Sequence, residues 1–181
     1  FHPLATIVSS GEGIDLHDTL IDERSVRLAI RASATLPILA GPPVRLNGHR
    51  LVDSGLAAAI PFKVAVDQGA THVLVLRSRR EGELTRPTTG RSSAIAARAL
   101  RRVDPAVAAA YLTRAEREAA DEEILARHAA DPQRTPHILS IRPFPDSPVP
   151  GRLTRDVQIV RDALEQGRQA LHAALGSPAG G

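Results

Sequence analysis

The chain has 181 residues, 43% apolar and 24% charged, with a formal charge of +3, which is the balance of a globular chain long enough to bury a core. It contains no cysteine, so disulfides and thiolate metal sites are excluded. Aromatic residues are limited to Phe1, Phe62, Phe144 and Tyr111, so the core is aliphatic and platforms for stacking bases or sugars are scarce.

Leu4 to Ser10 is predicted as a buried strand closed by Gly11 and Gly13. Asp22-Glu23 then precede a helix over about 24–34, where an acidic pair suits the N-terminus. Val26, Ala29, Ile30 and Ser33 form its expected apolar face, and Pro37 and Pro42-Pro43 stop it. Val44 to Leu46 and Arg50 to Val52 flank Asn47-Gly48, a strong hairpin signal. The second of these strands runs into Asp53-Ser54-Gly55. Pro61 opens a helix through Val66, with Gly69 at its end.

His72 to Leu76 is a near-continuous apolar run, expected to be a strand buried on both faces. Strand, helix and strand within about 30 residues form a βαβ unit, so a parallel sheet is predicted. A polar loop covers 78–90. Helices are predicted over 91–102 and 105–130, the second with Val107, Tyr111, Ile124 and Leu125 as apolar points. His137 to Ile141 is a further strand, and 143–150 is a proline-rich linker. A closing amphipathic helix over 154–175 carries Val157, Val160, Leu164, Gly167 and Leu171 on one face. Residues 176–181 are expected to be a disordered tail.

No apolar run approaches the ~18 residues of a membrane span, and no signal peptide is apparent. A cytoplasmic setting is the expectation. Lys63 is the only lysine among 23 basic residues. This heavy arginine use fits a GC-rich coding sequence at least as well as a binding role. No basic stripe with interleaved aromatics appears, so nucleic acid is not an expected partner. The seven histidines show no paired metal spacing, and neither metal nor cofactor is expected. The run Asp121-Glu122-Glu123 is read as a solvated helix face. Arg77, Arg79 and Arg80 are read as a solvated loop, with transient contact to an anionic membrane surface as the alternative.

Asp53 is the most informative residue. An apolar strand delivers it into a tight Ser54-Gly55 turn, at the kind of strand end where α/β proteins place function. Alone, Asp-Ser-Gly is ordinary turn chemistry. Its flanks add the ordered string Ala32-Ser33, Pro37, Pro42-Pro43-Val44, Gly48, Leu51-Val52-Asp53-Ser54-Gly55, Ile60-Pro61 and Gly69-Ala70. This string resembles the patatin-like phospholipases, most densely from Leu4 to Arg79 and more loosely beyond, as in bacterial members.

The resemblance implies an α/β layered sandwich with a mainly parallel sheet, spanning 1–143 with a helical insert at 91–130. Residues 144–175 would add the linker and closing helix of the same domain. It also implies a lipid acyl hydrolase with a Ser–Asp dyad, in which Asp53 is the base acting directly on the serine. The family's serine lies upstream in a Gly-x-Ser-x-Gly elbow, beyond a glycine-rich oxyanion loop.

No Gly-x-Ser-x-Gly occurs in this sequence. The nearest approach is Gly90-Arg91-Ser92-Ser93-Ala94, where Ser92 is expected in a first helical turn. The chain lacks methionine and begins at Phe1 directly before an apolar segment. The expectation is therefore a fragment that carries the base without its nucleophile and is inactive alone. Two departures stand out. Ser54 replaces the usual glycine, and Ala57-Ala58-Ala59 lacks the Asn or Asp often found before the Ile-Pro step. The rival reading is a non-catalytic binding module on the same scaffold, using the arginine-rich helix at 91–102 to contact anionic lipid, protein or nucleic acid.

Overall fold

The structure is a computed structural model and describes residues 1–83, 88–151 and 154–176. Residues 177–181 of the expected tail, part of the 78–90 loop and Arg152-Leu153 lie outside the described residues. Contacts divide the chain into two compact units, Phe1–Ala65 with Thr85–Glu123 and Val66–Leu84 with Ile124–Gly181.

The first unit is built on a four-stranded sheet in the order β2-β1-β4-β3, from β1 (Leu4–Ile7), β2 (Gly13–Asp15), β3 (Val44–Leu46) and β4 (His49–Val52). All three pairings are antiparallel. The β3–β4 hairpin closes as the sequence predicts. Asn47 (φ 47°) and Gly48 (φ 78°) both occupy the left-handed region, the conformation that matches the twist of the flanking strands. The β1–β2 hairpin was not foreseen, because β2 is short, follows Gly11 and itself begins with Gly13. Gly11 in its turn has φ 74°, and a Cβ there would lie 2.7 Å from the Ala106 carbonyl oxygen. Two constraints therefore exclude a side chain at position 11.

The expected parallel crossover from β4 to β5 (His72–Leu76) does not form. Both edges of β4 are occupied, by β1 and by β3, so no edge remains for β5. Parallel pairing occurs instead between β5 and β6 (His137–Ile141), in the second unit, with His72 opposite His137.

Helix α1 (Glu23–Ser33) starts at a capping box. The Ser25 amide donates to Asp22 Oδ1 at 2.7 Å, and the Asp22 amide donates to Ser25 Oγ at 3.0 Å. Its buried stripe is Ser25, Ala29 and Ala32, not the expected line through Val26, Ile30 and Ser33, and Ile30 is exposed. The small side chains let the helix sit close to the sheet, joining Ala5, Val44 and Leu51 in one core cluster. Alternation along the strands sends Val8 and Val52 to a second cluster with Leu56, Leu100, Val107 and Ala108. These last three come from α3 (Arg91–Leu100) and α4 (Pro105–Leu112).

The helix predicted over 105–130 is two helices, α4 and α5 (Arg114–Ala130). The break falls at Thr113, whose hydroxyl donates back to the Ala109 carbonyl at 3.1 Å, a local bond that competes with the helical ladder. The run at 121–123 is not uniformly solvated either. Asp121 is buried and pairs with Lys63 at 2.5 Å, and Lys63 lies in α2 (Phe62–Asp67).

In the second unit β5 is not buried on both faces. Val75 is covered, whereas Leu74 and Leu76 are 50% and 69% exposed. A continuous apolar run cannot show how many layers cover a strand. Helix α6 (Val157–Leu175) starts at Asp156, which accepts from the Gln158 amide at 2.8 Å. Its apolar stripe is largely open, since Val157, Val160 and Leu164 are exposed and Ala170 is its buried residue. No helix among the described residues is long and apolar enough to cross a membrane.

Two outcomes follow from these contacts. Gly11→Ala should destabilise the first unit by about 1–3 kcal/mol in urea unfolding; an unchanged midpoint would show that α4 yields freely. At Asp22, the hydrogen bonds from the Ser25 amide and then the Ser25 side chain hold the carboxyl below its ordinary value of 3.8. A depressed folded-state value means that the cap's contribution is full above the ordinary value and lost as pH falls through the folded one. Amide exchange in α1 should therefore accelerate in acid, and Asp22→Asn should flatten that response.

Candidate functional site

Asp53 leaves the end of β4 and enters a 3-10 turn over Ser54–Leu56. Two long-range backbone hydrogen bonds and one to its side chain fix it, beside the turn's own Leu56 amide to Asp53 carbonyl bond at 3.4 Å. Its amide donates to the Thr35 carbonyl at 2.9 Å. Its carbonyl accepts from Thr6 Oγ1 at 2.8 Å. Thr6 and Thr35 are both fully or nearly fully buried, so neither bond competes with bulk water. They come from β1 and from the residues just after α1. The backbone of Asp53 is thus held from two elements besides its own strand.

The third bond acts on the carboxylate. The Gly55 amide donates to Asp53 Oδ1 at 2.8 Å, closing a turn on the side chain. Among the described residues no other hydrogen bond reaches this carboxylate. Oδ1 is oriented while Oδ2 keeps its lone pairs. The residue is half-buried, so a reacting hydroxyl can approach. This arrangement suits a carboxylate that accepts a proton.

The motif's two other positions behave differently. Ser54 lies outside the left-handed region, so the turn does not require glycine there, and the departure from the family's pattern is conformationally free. Gly55 is constrained instead by approach. A Cβ at 55 would stand 2.9 Å from Asp53 Oδ1. Glycine is needed here to let the carboxylate reach the amide.

Sequence reasoning missed the residues behind the turn. Thr6 is a polar residue inside an apolar strand, which was a usable signal. Arg117 was not legible. Its guanidinium reaches across 61 residues of sequence to donate to the Leu56 carbonyl. It also donates to the Ala110 carbonyl at 2.7 Å and to Thr113 Oγ1 at 2.8 Å. Burial lowers its pKa and the Asp121 carboxylate opposes that shift; an arginine stays charged regardless.

Ser92 is exposed in the first turn of α3, as expected. His72 and His137 stack at 4.9 Å in the second unit, and His2 stacks on His17 at 4.1 Å. Among the described residues no group of three or more His, Asp or Glu is placed to hold a metal ion. Arg80 is engaged with Glu83.

The first unit therefore presents an oriented, half-buried carboxylate at a strand end of an α/β chain. Residues 2–66 match the family model described as patatin-like phospholipase, a span that runs from β1 through the Asp53 turn into α2. No curated protein matches the chain.

Gly55→Ala tests the site geometry. The backbone at 55 tolerates a side chain, so stability should change by less than about 1 kcal/mol. The amide at 55 should lose its exchange protection as the carboxylate is displaced. Retained protection would mean that the Asp53 side chain does not depend on this glycine.

Proposed function

We propose that Asp53 is the general base of a Ser–Asp dyad in a hydrolase of lipid acyl esters. The observation that carries this reading is the oriented carboxylate of Asp53, lying inside the segment that matches patatin-like phospholipase. A serine hydroxyl is a weak nucleophile at neutral pH and needs a base within hydrogen-bond reach. Asp53 Oδ2 would take the hydroxyl proton as the serine oxygen attacks the ester carbonyl. The proton would then pass to the leaving alcohol as the acyl-serine forms. Water would attack that intermediate with Asp53 again as base, releasing the fatty acid and restoring the serine. These residues contain no Gly-x-Ser-x-Gly. The nucleophile and the oxyanion donors are therefore assigned to a segment outside them, and the 181-residue chain is expected to be inactive alone. Helix α1 on one face of the sheet, with α3 and α4 joining the core of the other, supports a layered α/β arrangement.

The reading frame upstream of Phe1 should encode Gly-x-Ser-x-Gly; its absence would sink the hydrolase reading. In a protein that includes that segment, Asp53→Asn should lower hydrolysis of a short-chain aryl ester by about 10²–10⁴-fold with the fold retained. Activity at the wild-type level would remove Asp53 from the chemistry.

A further inference from the structure

We infer that Arg117 is a positioning residue for Asp53, the means by which the helical segment after α3 fixes the turn that carries the base. The inference rests on the reading of Asp53 as a catalytic carboxylate. All the residues concerned lie within the first unit.

The turn after β4 is anchored by packing at one residue, Leu56, whose side chain joins the second core cluster. Its internal bonds are short-range: Leu56 N to Asp53 O at 3.4 Å, Ala57 N to Ser54 O at 3.0 Å and Ala58 N to Ser54 O at 2.8 Å. The first of these is long. The segment is rich in small residues, Ala57 to Ala59, whose side chains make few contacts. Two polar ties from α5 add to that anchor. Arg117 donates to the Leu56 carbonyl, and Asp121, one helical turn on, pairs with Lys63 at the start of α2. Spacing of four places both groups on one face of α5. The segment from Leu56 to Lys63 is thus held near both ends by a single helix.

The guanidinium itself is held on its helical side. Nη2 also donates to the Ala110 carbonyl and Nη1 donates to Thr113 Oγ1. These partners sit at the α4–α5 break, where Thr113 keeps its backbone bonds to Ala109 and Arg117 and its hydroxyl also accepts from Arg117. Arg117 Nε is buried without a partner, in a residue that is half-buried as a whole. A planar fork with several donors can bridge two carbonyls and a hydroxyl at once; a lysine ammonium at this depth cannot reproduce that geometry. Fixing Leu56 fixes the end of the 3-10 turn, and with it the Gly55 amide that orients Asp53 Oδ1.

The test compares Arg117→Met and Arg117→Lys in the 181-residue chain by amide hydrogen exchange. In Arg117→Met, the amides of residues 55–58 should exchange about tenfold faster or more, while β1 and β4 amides keep their rates. Arg117→Lys should recover part of the protection. Unchanged exchange at 55–58, or equal acceleration in β1 and β4, would overturn the inference. Thr113→Val removes one acceptor and keeps the guanidinium; an intermediate acceleration is expected, and it serves if Arg117→Met does not fold. In a longer protein with esterase activity, Arg117→Met should lower kcat by about 10²-fold with KM unchanged, and Arg117→Lys should restore part of it. Intact kcat would overturn the positioning role. A wild type without esterase activity would instead overturn the dyad reading, and the exchange rates would still decide whether Arg117 fixes the turn.

Discussion

The pairing of β1 with β4, with Thr6 opposite Val52, determines where Asp53 comes to rest. It occupies one edge of β4 while the β3 hairpin occupies the other. It brings the Thr6 hydroxyl under the Asp53 carbonyl. It also divides the apolar residues of β4 between two core clusters, Leu51 on the side of α1 and Val52 on the side of α3 and α4. A one-residue slip would exchange those faces and put Asp53 out of reach of Thr6. The strand end is therefore precise because its register is enforced by burial on both sides.

The residues around the site divide their work by distance in sequence. Gly55 acts on the carboxylate itself. Thr6 and Thr35 act on the backbone of Asp53, from β1 and from the end of α1. Arg117 acts one step further away, on Leu56. Each partner is buried or half-buried, which lets a small number of hydrogen bonds set the geometry without competition from solvent. The family match covers residues 2–66, so the first three supports fall inside it and Arg117 falls outside. In the proposed dyad, the base and its immediate holders belong to the matched segment, and the brace comes from helices that follow it.

Local signals were legible in the sequence. Asn47-Gly48 marked the hairpin because only a few residue types occupy two consecutive left-handed positions. Asp22 marked the start of α1 because its side chain completes a cap three residues away. The ordered flanks of Asp53 lie in the segment that matches the family model. What could not be read was nonlocal. The sequence contains no sign that β1 would take the edge of β4 that a parallel crossover needs. Periodicity in α1 picked the larger apolar residues, while the close approach to the sheet selected Ser25, Ala29 and Ala32. Asp121 looked like one of three solvated acids until its partner 58 residues earlier, Lys63, was in view. The stripe of α6 was correctly amphipathic, yet amphipathicity states only that a face could be buried.

Lys63 has one more consequence. It is the chain's single lysine, it lies at the far end of the loop that leaves Asp53, and its side chain is 52% exposed while paired with Asp121. An amine-directed dye or crosslinker has one side-chain target in these residues, and that target is one of the two points where α5 holds the loop. The arginine-for-lysine bias that made the composition uninformative about partners thus gives the molecule a built-in labelling handle ten residues after Asp53 in the chain.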